Sequence, residues 1–493
     1  MQITSATIRP DVAVASSMQE ILIALSFALD ATEGAVPGHA TRSCLLAVRL
    51  GLALRLDAAT ISDLYFATLL KDAGRSTNAA RSGQIVHGQD RALKTGTKTV
   101  NRAQLHRFQL PTLQMLWQEG LSGSSLLEQS ARWMTIGFNR LDKYRELLAL
   151  RCDRGAEIVR KLGFNERVAI GVRHLDEHWD GGGHPQGLTG ENLPLLSRVM
   201  KVAQHLDIFC MDQGPESAIE ALQERSGRWF DPEIVTVARS LGSAGSLWRD
   251  CLPEDPIEAT RQAALNLQLQ PSEQLSAPDI DSICEAFADV VDAKSPFTFR
   301  HSLGVMKASV AIGKTLGLAP DRVRVLRRAA LLHDIGKLGI CNRILDKPTQ
   351  LTKRESALMR KHSALGAQIL NCIGGFQEIA MLVGEHHERL DGSGYPYNLR
   401  AQDLSIESRV LAVADIYAAL SEQRPYREAL DPTQIMAIMD ADIPAKLDCE
   451  CYAALCFAME NLTVRKPVIP LPMFELRPPS SFKVAELGFA GHA

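Results

Sequence analysis

The chain repeats itself once, and that duplication limits the folds open to it. Gly38-His39-Ala40 returns as Arg300-His301-Ser302, and Ala67-Thr68-Leu69-Leu70-Lys71-Asp72-Ala73-Gly74-Arg75 returns as the nine residues from Ala329 to Lys337. Both matches have a shift of 262 residues (His301 against His39). Further along, Asp180-Gly181-Gly182-Gly183-His184-Pro185 matches Asp391-Gly392-Ser393-Gly394-Tyr395-Pro396, and Gly155-Ala156-Glu157-Ile158-Val159 matches Gly366-Ala367-Gln368-Ile369-Leu370, at a shift of 211 (Asp391 against Asp180). The change of shift, 262 less 211, puts 51 extra residues in the first copy, between Asn78 and roughly Ser130. Two copies of this length indicate duplicated domains rather than a solenoid.

Within each copy the apolar residues recur at i, i+3 and i+4, as from Ser302 to Ile312, and long alternating runs are scarce. That periodicity predicts an all-α protein with two helical bundle domains in tandem. The expected boundaries are 15–250 for the first domain, with its insertion at about 79–130, and 279–462 for the second. The stretch 251–278 reads as a linker, and the Pro-rich tail 463–493 reads as extended or unstructured chain. The insertion carries Arg81, Arg91, Lys94, Lys98, Arg102 and Arg107, and reads as a solvated loop with one helix, with a lid or a nucleotide- or partner-binding surface as the alternative. The 493 residues have a net charge of −3, which gives no global pull toward DNA or an anionic membrane. No apolar run reaches the roughly 18–20 residues that span a bilayer. The start, Met1-Gln2-Ile3-Thr4, lacks the pattern of a secretory leader. The ten cysteines fall among apolar helical positions, Cys449, Cys451 and Cys456 included, as reduced buried thiols do. A cytoplasmic location is therefore expected.

The second copy gathers polar residues where a core should be. His301, His333-Asp334, His362 and His386-His387 are separated by helix-length segments, and Asp415 ends the apolar run Val410-Leu411-Ala412-Val413-Ala414. Burying unpaired polar groups costs roughly 1–3 kcal/mol each, so five histidines and two aspartates on apolar helices call for shared ligation. Seven ligands exceed one tetrahedral zinc site but suit two octahedral ions bridged by a carboxylate. Imidazole with carboxylate favours iron or manganese over magnesium, and a close ion pair suits phosphoryl chemistry.

The ordered set His333-Asp334-Ile335-Gly336-Lys337, Lys361-His362-Ser363 leading to Gly366, His386-His387-Glu388-Arg389, Asp391 to Pro396, and Asp415-Ile416-Tyr417 with Arg424-Pro425-Tyr426-Arg427 resembles the HD-GYP phosphodiesterases, a branch of the HD phosphohydrolase superfamily. The resemblance covers about residues 275–460. It implies hydrolysis of cyclic di-GMP to pGpG or GMP by a metal-bridging hydroxide, and base selectivity leaves the mixed GMP–AMP cyclic dinucleotide open. It implies that His301, His333, Asp334, His362, His386, His387 and Asp415 are metal ligands, with Asp334 bridging. It also implies that Lys337 meets a phosphate oxygen, that Gly394, Tyr395 and Pro396 form a substrate loop, and that Arg424 and Arg427 hold the second phosphate or the guanosine side. Implied partners are the dinucleotide and a GGDEF-type cyclase or other signalling protein at the loop; the oligomeric state, a homodimer included, is left open. Two other readings stand beside this one: another HD-class nucleotide phosphohydrolase, and a cyclic-dinucleotide receptor or scaffold with little turnover.

Three departures bear on the expectation. Phe297 stands four residues before His301, where three-metal members carry a glutamate, so two ions are expected. Asn398 replaces a usual glycine and Ala418 a usual aspartate. In the first copy, Lys71, Arg151, Leu175, Asp176 and Gln204 stand at the positions of His333, His362, His386, His387 and Asp415, and His184 at that of Tyr395. His39 and Asp72 persist, and two ligands among added cations cannot hold two ions. The first copy is therefore expected to be metal-free and either structural or regulatory, with the alternative that its lysine and arginine bind nucleotide phosphates. His174, His178, His184 and His205 miss the ligand positions and read as surface or hydrogen-bonded residues.

Overall fold

The computed structural model describes residues 18–33, 35–76, 140–251, 256–267, 277–295, 300–422 and 429–463. The insertion expected at about 79–130, Phe297, Arg424, Arg427 and the tail beyond Thr463 lie outside them. Among the described residues the architecture is helical, and extended pairing is limited to isolated bridges.

The first half runs α1 (Met18–Glu33), α2 (His39–Ala53), α3 (Ala58–Leu69), a 3-10 turn (Ala73–Ser76), α4 (Arg140–Lys161), α5 (Glu166–Arg173), α6 (Leu195–Gln213), α7 (Pro215–Glu224) and α8 (Pro232–Ser243). Next comes α9 (Pro256–Leu265), inside the stretch expected to be a linker; it packs on α2 and α1, so that stretch is partly helical. The second half runs α10 (Ala277–Asp292), α11 (His301–Thr315), α12 (Pro320–Leu332), a 3-10 turn (Ile335–Gly339), α13 (Asn342–Leu345), α14 (Lys353–Met359), α15 (Lys361–Asn371), α16 (Gln377–Glu385), α17 (Ile406–Ser421), α18 (Pro432–Asp440) and α19 (Cys449–Thr463).

Local chemistry sets these ends. Asp57 caps α3 by accepting from Thr60 N at 2.9 Å, and Pro320 opens α12, where its missing N–H has no helical partner to lose. Thr352 and Glu355 form a capping box on α14.

The two halves pack alike. α2 lies against α3 and α6, and α11 against α12 and α17. Each 3-10 turn lies against the helix that follows it in the pattern, α4 or α15. The bridges Asp180–Thr189 and Asp391–Arg400 and the cis bonds His184-Pro185 and Tyr395-Pro396 recur at the 211 shift. Glycine permits the closest approach: a Cβ on Gly336 would stand 1.9 Å from His362 O, and one on Gly74 would stand 2.2 Å from Arg151 O. The same backbone contact thus sets the candidate ligand position His362 in one copy and its replacement Arg151 in the other.

Apolar residues from both halves form one continuous buried cluster, from Ile21 to Leu455. α1 crosses between the copies and packs on both 3-10 turns and on α15. Thr32 Oγ1 donates to Leu338 O at 3.3 Å, and Lys294 Nζ reaches the same carbonyl. Gly374 N donates to Glu20 Oε1 at 2.9 Å. The first copy therefore braces the turn that carries Lys337. No described helix is long and apolar enough to cross a membrane.

Because the Cβ of an alanine at 336 has no room, Gly336→Ala is expected to cost about 1–3 kcal/mol, the usual range for overpacking. Urea unfolding of the full chain measures it; an unchanged midpoint would show that the two backbones can separate freely.

Candidate metal centre and substrate site

α12 buries Leu326 and Ala329 to Leu332 and ends there. His333 keeps helical angles, while Asp334 (φ −96°, ψ 7°) turns the chain into the 3-10 segment. The chain turn brings both side chains into one buried space: His333 Nε2 is 3.2 Å from Asp334 Oδ2.

Three imidazoles are oriented by the same device. His333 Nδ1 lies 2.8 Å from Ala330 O, His362 Nδ1 2.7 Å from Met359 O, and His386 Nδ1 2.6 Å from Val383 O. A carbonyl can only accept, so Nδ1 donates and Nε2 presents a lone pair to the cavity. His301, at the start of α11, places Nδ1 2.9 Å from Glu422 Oε2 and Nε2 3.2 Å from Asp415 Oδ1.

Asp334 faces two sets of nitrogens. Its Oδ1 is 3.4 Å from His362 Nε2, and its Oδ2 is 3.8 Å from His301 Nε2. Asp415 lies 3.8 Å from His333 Nε2 through one oxygen and 3.7 Å from His387 Nδ1 through the other. Ligand atoms of His362, His386 and His387 lie within 4.8 Å of one another, as do those of His301, His333 and Asp415, and those of His333, Asp334 and His386. All seven residues singled out in the sequence meet in this space.

Its electrostatics suit cations. Burial pushes His362 down to about 4 and His386 to about 3, and holds His387 well below its ordinary value. These rings are neutral donors at pH 7. Burial opposes the charge on Asp334 and Asp415, yet Lys337 beside the first and His301 beside the second hold both well below the carboxylate range. Burial also opposes charge on His301, but Asp415 and Glu422 outweigh it and raise the ring to about 9. A cation at Nε2 would take that proton's place. Neither His333 Nε2 nor Asp334 Oδ1, both buried, has a hydrogen-bond partner. Such orphaned acceptors are what a metal ion satisfies, so the residues fit one.

Lys337 does not stand free at the mouth; its Nζ is 2.5 Å from Asp334 Oδ2. In the loop, Gly394 packs so closely on Glu388 that a Cβ would lie 2.4 Å from Glu388 Cα. Buried Glu388 accepts from Tyr397 N at 2.7 Å and Leu399 N at 3.1 Å, fixing the loop that holds cis Tyr395-Pro396. The Tyr395 ring stacks on His387 at 4.7 Å. Asn398 occupies a left-handed position (φ 57°), where the first copy has Gly187 (φ 70°); asparagine tolerates it, and Nδ2 donates to Gly394 O at 2.6 Å.

Sequence reasoning missed Glu422, the partner of His301. It lies seven residues after Asp415, two helical turns on, and that spacing was its available signal. Glu388 was seen within a motif without its bracing role.

The first copy places ion pairs around the corresponding space. Lys71 pairs with Asp72, Arg75 Nε lies 2.5 Å from Asp72 Oδ1, and Arg151 pairs with Asp176. Buried Lys201, also missed, is pushed down to about 8 by burial, with Asp176 opposing the shift. His39 Nδ1 is 2.6 Å from Asp207 Oδ2, and Arg42 Nε donates to Asp207 Oδ1 at 2.5 Å. Asp207 aligns with Ala418 of the second copy. His174 and His205 bond Ile170 O and Lys201 O through Nδ1, and His178 packs on Trp229.

The family model described as HD domain matches residues 125–234 and 285–450. The chain belongs to the HD-GYP branch of that family. This HD-GYP chain is 38% identical to the 3′3′-cGAMP-specific phosphodiesterase 3 of Vibrio cholerae serotype O1, over 90% of this chain and 95% of that protein. It resembles the crystal structure of a cyclic GMP-AMP specific phosphodiesterase of V. cholerae with a TM-score of 0.60 and 34% identity, covering 90% and 98% of the two chains. A cyclic di-GMP phosphodiesterase of Pseudomonas aeruginosa is 31% identical over 46% of this chain and 52% of its own length. Relatives of this HD-GYP chain are thus phosphodiesterases of cyclic dinucleotides.

Since Glu422 orients the His301 ring, Glu422→Gln is expected to weaken manganese binding about 10–100-fold, the usual effect of losing a partner that orients a ligand. Competition with a fluorescent chelator reads the change, and unaltered affinity would remove Glu422 from the centre.

Proposed function

We propose that this HD-GYP chain is a metal-dependent phosphodiesterase that opens cyclic dinucleotides. The observation that carries the reading is Asp334, whose two oxygens face different imidazoles inside one buried cluster. His301, His333 and Asp415 would hold one divalent ion and His362, His386 and His387 a second, with Asp334 between them. Iron or manganese matches this mix of nitrogen and oxygen donors. When bound, the ions supply Lewis acidity at the phosphodiester.

The chain's own groups do the rest. Lys337 stands beside Asp334 and offers its ammonium to the charge that grows on the phosphate oxygens. The rigid Gly394–Pro396 loop walls the site next to His387. Arg424 and Arg427 are assigned to the guanosine side of the nucleotide on motif alone. The first copy, with ion pairs where ligands would be, is a metal-free HD bundle in tandem that braces the 3-10 turn of the second.

The preferred substrate is 3′3′-cyclic GMP-AMP, because the relative named for it matches nearly end to end. Cyclic di-GMP is the second reading, favoured by the P. aeruginosa relative, which matches over about half its length.

The test incubates the full chain with manganese or iron(II) and each dinucleotide and follows linear products by chromatography. The expected outcome is linear product from 3′3′-cyclic GMP-AMP, faster than from cyclic di-GMP. No linear product under reducing, metal-replete conditions would refute the enzyme reading. His333→Ala is expected to lower turnover at least a thousandfold and Lys71→Ala less than twofold. Equal losses would mean the wrong copy was assigned the chemistry.

A further inference from the structure

One guanidinium lies over the Tyr395 ring and a second adds to the charge around its phenol, and the proposed chemistry uses neither. Arg360, the last residue before α15, is exposed and holds its guanidinium 4.9 Å from the Tyr395 ring centroid. Tyr395 in turn stacks on His387, so Arg360, Tyr395 and His387 form a column leading outward from the cluster. Arg389 lies near the same phenol, whose charge environment it shares with Arg360, Asp415 and Asp334. Its Nη1 is buried and has no hydrogen-bond partner. Among the described residues no carboxylate pairs with either arginine.

A buried guanidinium nitrogen without an acceptor is costly, and arginine satisfies it best with a carboxylate or a phosphate. The duplicated copy serves as an internal control. At the 211 shift, Arg360, Arg389 and Tyr395 become Ala149, His178 and His184. The copy that lacks the histidine cluster lacks these cations as well, as expected if both serve one ligand.

We infer that Arg360 and Arg389 hold the phosphate of the cyclic dinucleotide that is not being cleaved. This rests on the proposed substrate class. A cyclic dinucleotide carries two phosphodiesters on one ring, so a molecule seated with one phosphate at Asp334 and Lys337 must leave the other at the rim. Arg360 is carried on the face of Tyr395 and arrives already placed, so little side-chain freedom is lost on binding. The pair thus acts as a length gauge that selects ligands with a second phosphate.

Two measurements on the full chain test it. The first is calorimetric titration of 3′3′-cyclic GMP-AMP into chelator-treated protein. Arg360→Ala and Arg389→Ala are each expected to weaken binding at least tenfold, with Arg360→Lys recovering part of the loss. The second compares hydrolysis of 3′3′-cyclic GMP-AMP with that of bis(p-nitrophenyl) phosphate, which has one phosphodiester. The fall in kcat/KM for the dinucleotide is expected to exceed that for the small diester at least tenfold. Equal falls on both, or wild-type binding in both variants, would overturn the inference by leaving the arginines a packing role. Tight binding through these arginines without hydrolysis would refute the enzyme reading and keep this one. Absence of both binding and hydrolysis would refute both.

Discussion

A carboxylate buried among imidazoles is the constraint on which the second half of the molecule depends. Asp334 is almost wholly enclosed, as are His301, His333, His362 and His386. Burial penalises both the anion and any imidazolium formed beside it. Lys337 supplies one positive charge to Asp334, and His301 shares a proton with Asp415 and Glu422. His333 Nε2 and Asp334 Oδ1 are still left without partners. Divalent cations resolve that imbalance at one stroke, which is why the cluster reads as a metal centre and not as a polar core.

The first copy shows the other solution to the same problem. Its Asp72 occupies the position of Asp334, and Lys71 and Arg75 neutralise it directly. Arg151 and Asp176 pair at the positions that His362 and His387 hold in the second copy. Asp207 holds His39 and Arg42, tying the surviving histidine to a carboxylate that the second copy replaces with Ala418. A copy with internal cations has its buried carboxylates balanced by its own side chains. Its α1 then reaches across to Leu338, one residue past Lys337, and makes the two bundles a single mechanical unit.

Much of this was legible in the chain. The helical period gave the class, and the two shifts paired residues that the structure pairs again through Gly74 and Gly336, the two cis prolines and the two bridges. The seven candidate ligands were legible because polar residues on apolar helices need a common reason. Other features were hidden for physical reasons. α9 was hidden because a short amphipathic helix within a Pro-bounded, polar stretch looks like linker until α2 and α1 cover it. Lys201 was hidden because a lysine within an apolar helix is normally assumed to reach solvent, whereas here it is buried and donates to Leu175 O at 3.4 Å. The Lys337–Asp334 pair depends on the helix tightening into a 3-10 turn after Asp334, and spacing alone does not report that change.

The central claim is that one copy binds ions and the other has replaced them with its own cations. Crystals of the full chain reconstituted with manganese, measured at the metal's absorption edge, test this directly. The account predicts two anomalous peaks flanking Asp334 and none beside Asp72. Peaks at Asp72, or none at Asp334, would contradict it.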